Sequence, residues 1–269
     1  MKQKKILIIG LGRIGINHLR AAKKFYPSIK IYIYDKKKIS KKFLKKNNLN
    51  LLTNLRKKLS FDLVIISTNS KERFNLFLEL VKHNIVKNIL FEKFVFFKNK
   101  QFKETLKILN KKKINAWVNC IRREIEIFKI IKKKISKKIE FLYQFKDWSM
   151  GCNSIHFIDL FSFLLGSKKI KPIDINLDKK IYKSKRKGYM EFKGSMKFMI
   201  GNSTLIIKDD YSFNKKIFKI IIEKKTFLFN KKENILIERN IKGKFIKKYI
   251  SEEPKVSLVS YKIINKIIN

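Results

Sequence analysis

The chain has 269 residues, 45% of them hydrophobic, and is long enough to bury a core in two domains of ordinary size. This composition excludes a disordered tail, and only two cysteines exclude a disulfide scaffold and indicate no structural metal. The formal net charge is +45, yet lysines occur on nearly every predicted element and arginines are rare. The charge therefore predicts nonspecific attraction of anions, with no specific nucleic-acid partner.

No segment of the sequence predicts a membrane partner. The apolar run that ends at Gly10 is too short for the core of a signal peptide. The longest other apolar stretch, Ile155 to Leu165, falls short of a membrane span. With Cys120 and Cys152 expected to be reduced thiols, the sequence predicts a soluble cytoplasmic protein.

The first apolar run leads into a glycine turn that is typical of dinucleotide binding. Gly10, Gly12 and Gly15 follow a strand pattern and open a predicted helix. In this motif the first glycine permits the turn, the second lets the pyrophosphate approach, and the third lets the helix pack on the strand. Free N–H groups of Arg13 and Ile14 at the helix start can bind the phosphates. We therefore expect these five residues to bind the cofactor.

An acidic residue ends the second strand pattern. Asp35 lies twenty residues after Gly15, where a carboxylate can accept hydrogen bonds from the adenosine ribose hydroxyls. Its charge would repel a 2′-phosphate, so the sequence predicts NAD as the cofactor. Lys36, Lys37 and Lys38 could bind that phosphate if Asp35 turned away, which leaves NADP as the alternative.

The order of the patterns predicts two domains. Strand and helix patterns alternate up to about residue 118, which indicates βαβ units and a parallel sheet. Short β-like runs separated by hairpin-length turns follow, at residues 189–199, 203–208, 216–229, 234–239 and 245–250. We predict an α/β Rossmann domain with a doubly wound parallel sheet over residues 1–119, for NAD(P). An α+β domain with a mainly antiparallel sheet is predicted over 120–269, for the substrate and oligomer contacts, with a final helix over 256–268.

Polar side chains follow two strands of the first domain. Ser67, Thr68 and Asn69 come directly after a buried strand, while Glu92 and Lys93 end the next one. Ligands of open α/β sheets bind at the carboxyl ends of the strands. We therefore expect Ser67, Thr68, Asn69 and Glu92 to bind the cofactor.

Four patches together resemble the glucose-fructose oxidoreductase / inositol dehydrogenase (Gfo/Idh/MocA) family of NAD(P)-dependent sugar and polyol oxidoreductases. They are, in chain order, the glycine turn with His18, residues 62–69, Glu92-Lys93-Phe94, and residues 151–160 with His156. Asn119 with Arg122 and Arg123 is similar to the family's domain junction. His18 itself is expected to be a packing residue or a backbone partner at the turn.

The resemblance implies hydride transfer between a nicotinamide and a hydroxyl carbon of a sugar, amino sugar or sugar nucleotide, as in surface-polysaccharide precursor synthesis. It implies that Lys93 holds the hydroxyl and that His156 exchanges its proton. It also implies substrate contacts from Lys93, His156, Arg122 and Asn153 across an interdomain crevice. A homo-oligomer formed through the open face of the second sheet is the implied assembly.

The sequence departs from the family pattern at two positions. Phe94 stands where the family has proline, and Cys152 stands where it commonly has aspartate. A neutral thiol cannot balance a protonated histidine as a carboxylate does, so either Asn153 or Asp159 compensates, the chemistry differs, or catalysis is weak. A catalytically weak or inactive nucleotide-binding sensor or scaffold of the same fold is therefore the alternative function. A polyanion-binding protein is a third hypothesis, supported by charge alone.

Overall fold

The computed structural model describes residues 3–184, 188–230, 235–250 and 256–269. They divide into two compact units. The first holds the residues up to Asn119 together with the C-terminal helix, and the second begins at Cys120 and holds the rest. The C-terminal helix therefore belongs to the first unit, which corrects the expectation that residues 120–269 form one domain.

Helices and strands alternate in the first unit. Its strands are β1 (Lys5–Ile9), β2 (Lys30–Tyr34), β3 (Asn50–Leu51), β4 (Ser60–Phe61), β5 (Leu63–Ile66), β6 (Ile85–Val86), β7 (Asn88–Phe91) and β8 (Asn115–Val118). The α-helices among the described residues of both units are α1 (Arg13–Phe25), α2 (Lys41–Asn47), α3 (Ser70–His83), α4 (Asn99–Lys112), α5 (Glu126–Lys133), α6 (Met150–Leu165) and α7 (Val256–Ile268).

The main sheet of the first unit is parallel throughout. Its strand order is β3-β2-β1-β5-β7-β8, and β4 and β6 form a separate short parallel pair. The order runs in opposite directions from β1, with β2 on one side and β5 on the other. The point where a doubly wound sheet reverses its order is where ligands bind in open α/β folds. The predicted Rossmann architecture is confirmed.

A hydrophobic cluster covers each face of this sheet. One face packs against α3 and α4 through Phe77, Leu80 and Leu109. The other packs against α1 and α7, where Ala22 and Ile264 are completely buried. Strands covered on both faces read as continuous apolar runs, which is why the sequence pattern found them.

The C-terminal helix is fixed to the first unit by polar contacts as well. The Lys4 ammonium donates a hydrogen bond to the carbonyl oxygen of Ile268 at 2.9 Å. The Tyr26 hydroxyl, just after α1, donates to the side-chain oxygen of Asn265. An amphipathic helix buries its apolar stripe on any complementary surface, and here that surface is α1.

The second unit contains an eight-stranded mixed sheet. Ten strands are described in this unit, eight of them in that sheet: β9 (Ile139–Phe145), β10 (Lys171–Leu177), β11 (Tyr182–Lys183), β12 (Met190–Glu191), β13 (Gly194–Ile200), β14 (Ser203–Asp209), β15 (Ile217–Ile222), β16 (Lys225–Asn230), β17 (Ile235–Asn240) and β18 (Phe245–Ile250). The order is β10-β13-β14-β9-β15-β16-β17-β18, with β11 and β12 paired separately. Only the β9–β14 pairing is parallel among these, so the predicted mainly antiparallel sheet is confirmed.

Several strand boundaries differ from the sequence prediction. The run 216–229 is two strands, because the chain turns at Glu223, which adopts a positive φ of 53°. The run 189–199 is also two strands, and β10 was not predicted at all. The expected first residue of the 234–239 run lies outside the described residues.

Helices α5 and α6 pack against one face of this sheet. The core there is rich in aromatic rings, with Phe141, Phe157 and Phe161 at most 1% exposed. Helix α6 ends at Gly166, which has a positive φ of 64° typical of a helix C-terminus. Among the described helices, none combines the length and the hydropathy needed to cross a bilayer.

Candidate functional site

Two glycines of the first turn are required by the packing of the protein itself. Gly10 has a φ of +90°, and its backbone N–H donates to the carbonyl oxygen of Tyr34 at 2.8 Å. A Cβ added at Gly15 would lie 2.0 Å from the carbonyl oxygen of Gly10. A side chain at either position would therefore displace the turn.

Gly12 lacks any such internal reason for being glycine. It is the N-cap of α1 with an ordinary φ of −65°, and a Cβ built on it meets nothing within 4 Å. No side chain among the described residues caps this helix, and its first intrahelical bond is Ile16 N–H to Gly12 O at 3.0 Å. The N–H groups of Arg13, Ile14 and Gly15 thus lack intrahelical acceptors, which is the arrangement that binds anions.

Asp35 is joined to this turn. Its Oδ2 accepts a hydrogen bond from the backbone N–H of Leu11 at 2.6 Å, and its Oδ1 accepts from the N–H of Lys37 at 2.8 Å. Each carboxylate oxygen has two lone pairs, so one acceptor position on each remains for a ribose hydroxyl. The residue expected to select the cofactor therefore also shapes the glycine turn.

The three polar residues after β5 differ in what they contact. The Ser67 hydroxyl donates to the carbonyl oxygen of Gly10 at 2.6 Å, and the Asn69 side chain caps α3 by accepting from Glu72 N–H at 3.3 Å. The Thr68 hydroxyl oxygen is buried and has no hydrogen-bond partner among the described residues. Ser67 and Asn69 therefore have structural partners, and Thr68 is the one with unused hydrogen-bonding capacity.

Glu92 lies at the end of β7 in a buried polar network. Its Oε1 is 3.1 Å from Nε2 of His18, which is completely buried on α1. The Asn119 amide donates to the same oxygen. His18 therefore has a side-chain partner, whereas the sequence predicted packing or a backbone contact.

Arg73 was not predicted to take part in the site. It lies on α3, is 2% exposed, and its guanidinium donates to the carbonyl oxygens of Glu92 at 2.6 Å and Val95 at 3.2 Å. It also donates to the carbonyl oxygens of Thr68 and Phe94. One buried cation thus holds the two segments that follow β5 and β7.

Lys93 is carried by the segment that Arg73 holds. It directly follows Glu92, its side chain is half-buried, and the peptide bond between Lys93 and Phe94 is cis.

In the second unit, two of the predicted substrate residues line one cavity. The cavity has a volume of about 230 Å³, and Arg122 and Asn153 are among its eight lining residues. Tyr143, Trp148, Phe157 and Lys216 also line it, and none of these four was predicted. His156 lies on α6 with Asn153, but it is not one of the lining residues.

A carboxylate from another element, which the sequence did not predict, lies at the start of α6. Glu191, from β12, accepts a hydrogen bond from the backbone N–H of Cys152 at 3.2 Å. Burial raises the pKa of Glu191, although the bonds from the helix N–H groups oppose this effect. The sequence suggested that Asp159 could compensate for Cys152. In the structure Asp159 makes a bidentate ion pair with Arg123, whose Nε lies 2.8 and 3.0 Å from the two carboxylate oxygens.

No group of three or more His, Cys, Asp or Glu side chains is placed to hold a metal ion in the part of the chain that the structure describes. The first unit, by contrast, has the features of a dinucleotide site. Gly12 leaves open space, the start of α1 offers N–H groups, and Thr68 has a buried unpartnered hydroxyl. These residues fit an adenine dinucleotide.

Comparison with known proteins identifies the family of the first domain. Residues 4–120 match the model of the Gfo/Idh/MocA family, described as an oxidoreductase family with an NAD-binding Rossmann fold. This domain belongs to the Gfo/Idh/MocA family. The resemblance found in the sequence is thereby confirmed, and the family supports a nicotinamide cofactor. A search among curated proteins found no match to the chain.

Solved structures share the fold over nearly the whole chain. A dehydrogenase (MviM) from Clostridium difficile has a TM-score of 0.76 at 17% identity, covering 99% of this chain and 90% of that one. UDP-N-acetylglucosamine 3-dehydrogenase GnnA from Acidithiobacillus ferrooxidans has a TM-score of 0.71 at 12% identity, covering 99% and 88%. A super-repressor mutant of Gal80p from Saccharomyces cerevisiae has a TM-score of 0.76 at 14% identity, covering 99% and 84%. At these identities the similarity shows the fold alone.

Proposed function

We propose that this Gfo/Idh/MocA-family protein transfers a hydride between a nicotinamide and a hydroxyl carbon of a sugar, amino sugar or sugar nucleotide. The observation that supports it most is the open space at Gly12, at the uncapped start of α1. A glycine that packing does not require is explained by a ligand that approaches its backbone. The first unit would bind the cofactor and the second the substrate.

The proposed cofactor is NAD. Asp35 places a negative charge beside the turn, where a 2′-phosphate would be repelled. The Lys36 ammonium forms an ion pair with Glu72, at 2.9 Å between Nζ and Oε1. This pair reduces the positive charge that Lys36 offers to a phosphate. NADP remains the alternative cofactor, with its 2′-phosphate bound by Lys37 and Lys38.

Lys93 and His156 are proposed as the catalytic residues. A bound nicotinamide would accept the hydride from, or donate it to, the substrate carbon. The Lys93 ammonium would hold the reacting oxygen and stabilise its developing negative charge. The His156 imidazole would exchange the proton of that oxygen. Arg122 and Asn153 would bind parts of the substrate that do not react.

The proposed substrate class is a sugar or sugar nucleotide, used for a surface-polysaccharide precursor. The printed name of GnnA states that it is a dehydrogenase of UDP-N-acetylglucosamine. The sequence carries a formal net charge of +45, which favours an anionic substrate such as a sugar nucleotide. The sequence has only two cysteines, Cys120 and Cys152, too few for a disulfide scaffold, and we propose a cytoplasmic location on that basis.

The proposed assembly is a homo-oligomer formed through the open face of the second sheet. Leu142, Ile206, Leu228 and Ile237 project on the face opposite to the helices, and all four are only partly buried. Cross-strand pairing places them in one row with Lys219 between Leu142 and Leu228. Contact with a second copy would bury this apolar row.

A catalytically weak or inactive nucleotide-binding sensor is the second candidate. The fold is shared with a protein that is named as a super-repressor mutant, and Cys152 stands where the family commonly has aspartate. In that case the first unit would bind the dinucleotide without turnover.

Cofactor titration and turnover separate these functions. We expect NADH to bind the purified protein, and NAD to be reduced with UDP-N-acetylglucosamine or a related sugar nucleotide, followed by NADH absorbance. Lys93→Ala and His156→Ala should each lower turnover by about 100-fold or more while NADH binding persists. Lys100→Ala, an exposed lysine of α4, is the control and should change neither.

Two results would contradict the proposal in different ways. NADH binding without turnover of any sugar nucleotide by the unsubstituted protein would favour the sensor. RNA binding that falls steeply with salt, in a protein that ignores NADH, would favour the polyanion-binding hypothesis.

A further inference from the structure

The start of α6 has no local cap. Ser149, the residue before the helix, makes no side-chain capping hydrogen bond among the described residues, and the first turn of the helix contains no acidic residue. Asp147 and Ser149 both have a positive φ, of 52° and 59°. Non-glycine residues rarely adopt this conformation, and it persists only where surrounding groups enforce it. Residues from elsewhere in the second unit must therefore hold the chain as it enters α6.

Two buried carboxylates hold this part of the chain. Asp209, the last residue of β14, accepts a hydrogen bond from the backbone N–H of Asp147 at 2.8 Å. Glu191, from β12, accepts from the backbone N–H of Cys152 at 3.2 Å and also from that of Gly151. The two acids are 2% and 8% exposed. Asp209 thus fixes the turn before the helix, and Glu191 bonds to the helix itself.

Gly151 leaves the space that the Glu191 carboxylate occupies. Its backbone does not require glycine, since its φ lies outside the positive region. A Cβ added to Gly151 would lie 2.8 Å from Oε2 of Glu191 and 3.1 Å from the ring of Phe192. Glycine also lowers the stability of a helix relative to alanine. The close approach of the Glu191 side chain therefore explains a glycine in the first turn of α6.

The position of the Glu191 carboxylate suits its negative charge. The first N–H groups of a helix lack intrahelical acceptors, and the helix dipole adds positive potential at this end. Glu191 accepts hydrogen bonds from two of these groups. A carboxylate there should hold the first turn more firmly than a neutral amide of the same shape.

The first two turns of α6 carry two residues of the proposed site. Asn153 directly follows Cys152, and its amide nitrogen donates to the carbonyl oxygen of Trp148 at 2.7 Å. His156 lies four residues after Cys152, and residues four apart share one face of an α-helix. The turn to which Glu191 bonds is therefore the one that precedes His156 on that face. A displacement of this turn would move both side chains.

We propose that Glu191 is a positioning residue, whose carboxylate fixes the first turn of α6 and thereby orients Asn153 and His156. The inference rests on the proposed function, in which His156 exchanges the proton and Asn153 binds substrate. The role requires the charge of Glu191 as well as its shape, because the carboxylate faces the positive end of the helix dipole.

Histidine NMR tests this without any turnover. The sequence has three histidines, so isotope labelling of histidine in the full-length protein gives three imidazole signals, and His156→Ala assigns one of them. Glu191→Gln should shift the His156 signal and leave those of His18 and His83, which belong to the first unit, in place. Gly151→Ala should shift the same signal, because its methyl group would displace the carboxylate. That variant tests the inference even if Glu191→Gln does not fold.

Turnover separates positioning from stabilisation. Glu191→Gln should lower turnover about tenfold or more with NADH affinity unchanged, because small displacements of reacting groups cost rate. Adding Cys152→Asp to this variant returns a carboxylate to the first turn of α6, and should recover turnover and move the His156 signal back. Glu126→Gln is the control and should change neither. It also removes a carboxylate from a helix start in the second unit, but that side chain is 63% exposed.

An unmoved His156 signal in either variant that folds would overturn the inference. So would a double variant with Cys152→Asp that is no more active than Glu191→Gln alone. A lower free energy of unfolding with unchanged turnover would mean that Glu191 only stabilises the fold, which also contradicts positioning. The expected signal shifts in a protein without NAD-dependent turnover would contradict only the proposed function. Undiminished turnover in Glu191→Gln would contradict only this inference.

Discussion

The backbone N–H of Leu11 donates a hydrogen bond to Oδ2 of Asp35 at 2.6 Å, so the acid at the end of β2 holds the glycine turn after β1. The two strands are neighbours in parallel register, which brings the turn and the acid to the same edge of the sheet. The carboxylate to which we assign the cofactor preference therefore also shapes the turn.

Replacing Asp35 by asparagine should change cofactor preference. Asp35→Asn keeps an acceptor for the Leu11 N–H but removes the charge that opposes a 2′-phosphate. We expect the ratio of NADPH to NADH affinity to rise about tenfold, which corresponds to about 1.4 kcal/mol. Fluorescence titration with both nucleotides measures it. Glu79→Gln removes a carboxylate of α3 that pairs with Arg56 at 3.4 Å, and an equal change in that variant would refute the assignment.

The glycine turn offers a matched pair of substitutions. Gly12→Ala meets nothing within 4 Å, so its free energy of unfolding should stay within about 0.5 kcal/mol of the unsubstituted protein while NADH affinity falls. Gly15→Ala places a methyl group 2.0 Å from the carbonyl oxygen of Gly10, and should cost about 1–3 kcal/mol. Urea unfolding and NADH titration measure the two effects. Unchanged NADH affinity in Gly12→Ala would show that no ligand approaches there.

Local patterns carried much of the fold. The four-residue strand β5 is buried throughout and therefore reads as an apolar run. The glycines of the first turn mark where β1 ends and α1 begins. The turn at Glu223 was missed because no glycine, proline or asparagine marks it. The amphipathic pattern of α7 predicted a helix, but the pattern does not say which unit supplies the surface that covers it.

The site residues were likewise predicted only where a local sequence motif marks them. Gly12 and Asp35 belong to a local motif and could be named from spacing. Arg73 is one of 66 lysines and arginines, and only the fold shows that its guanidinium reaches four backbone carbonyls. The wall of the cavity likewise joins Tyr143 from β9 with Phe157 from α6, a pairing that depends on packing.

Arg73 should position the segment that carries Lys93. Arg73→Ala leaves buried carbonyl oxygens without donors and should cost about 3–5 kcal/mol of unfolding free energy. Arg73→Lys keeps the charge but loses the planar guanidinium whose two nitrogens donate to the carbonyl oxygens. We therefore expect NADH to bind while turnover falls about tenfold or more. Urea unfolding, NADH titration and turnover measure these effects.

Arg56→Ala is the control for Arg73. The Arg56 side chain is 75% exposed and pairs with Glu79 at 3.4 Å, so its loss should cost less than about 1 kcal/mol. Equal losses of NADH affinity and turnover in Arg73→Lys would indicate a general structural role, and would contradict positioning of Lys93.

Glu238 is a buried acid of the second unit with several donors. Its side chain is 2% exposed, and it accepts a hydrogen bond from the Tyr249 hydroxyl at 2.5 Å. Lys225 and Lys134 lie 3.1 and 3.4 Å from its oxygens. Burial raises the pKa of Glu238, but the hydrogen bond from Tyr249 and the two lysines outweigh burial and leave the pKa below its ordinary value.

The lowered pKa of Glu238 predicts an acid-dependent contribution to stability. In the unfolded chain this group titrates near 4.5, so its contribution is present above that pH and is lost as pH falls through the lower folded value. Glu238→Gln should therefore cost about 1–3 kcal/mol at pH 7, and the difference from the unsubstituted protein should shrink below about pH 4. Urea unfolding across pH measures that difference, in which the repulsion among the many lysines cancels.

Lys225 and Lys134 are 52% and 33% exposed and can return to water when the carboxylate is lost, which keeps the expected cost below that of a fully buried ion pair. A difference that is constant with pH would mean that the Glu238 charge contributes nothing to folding.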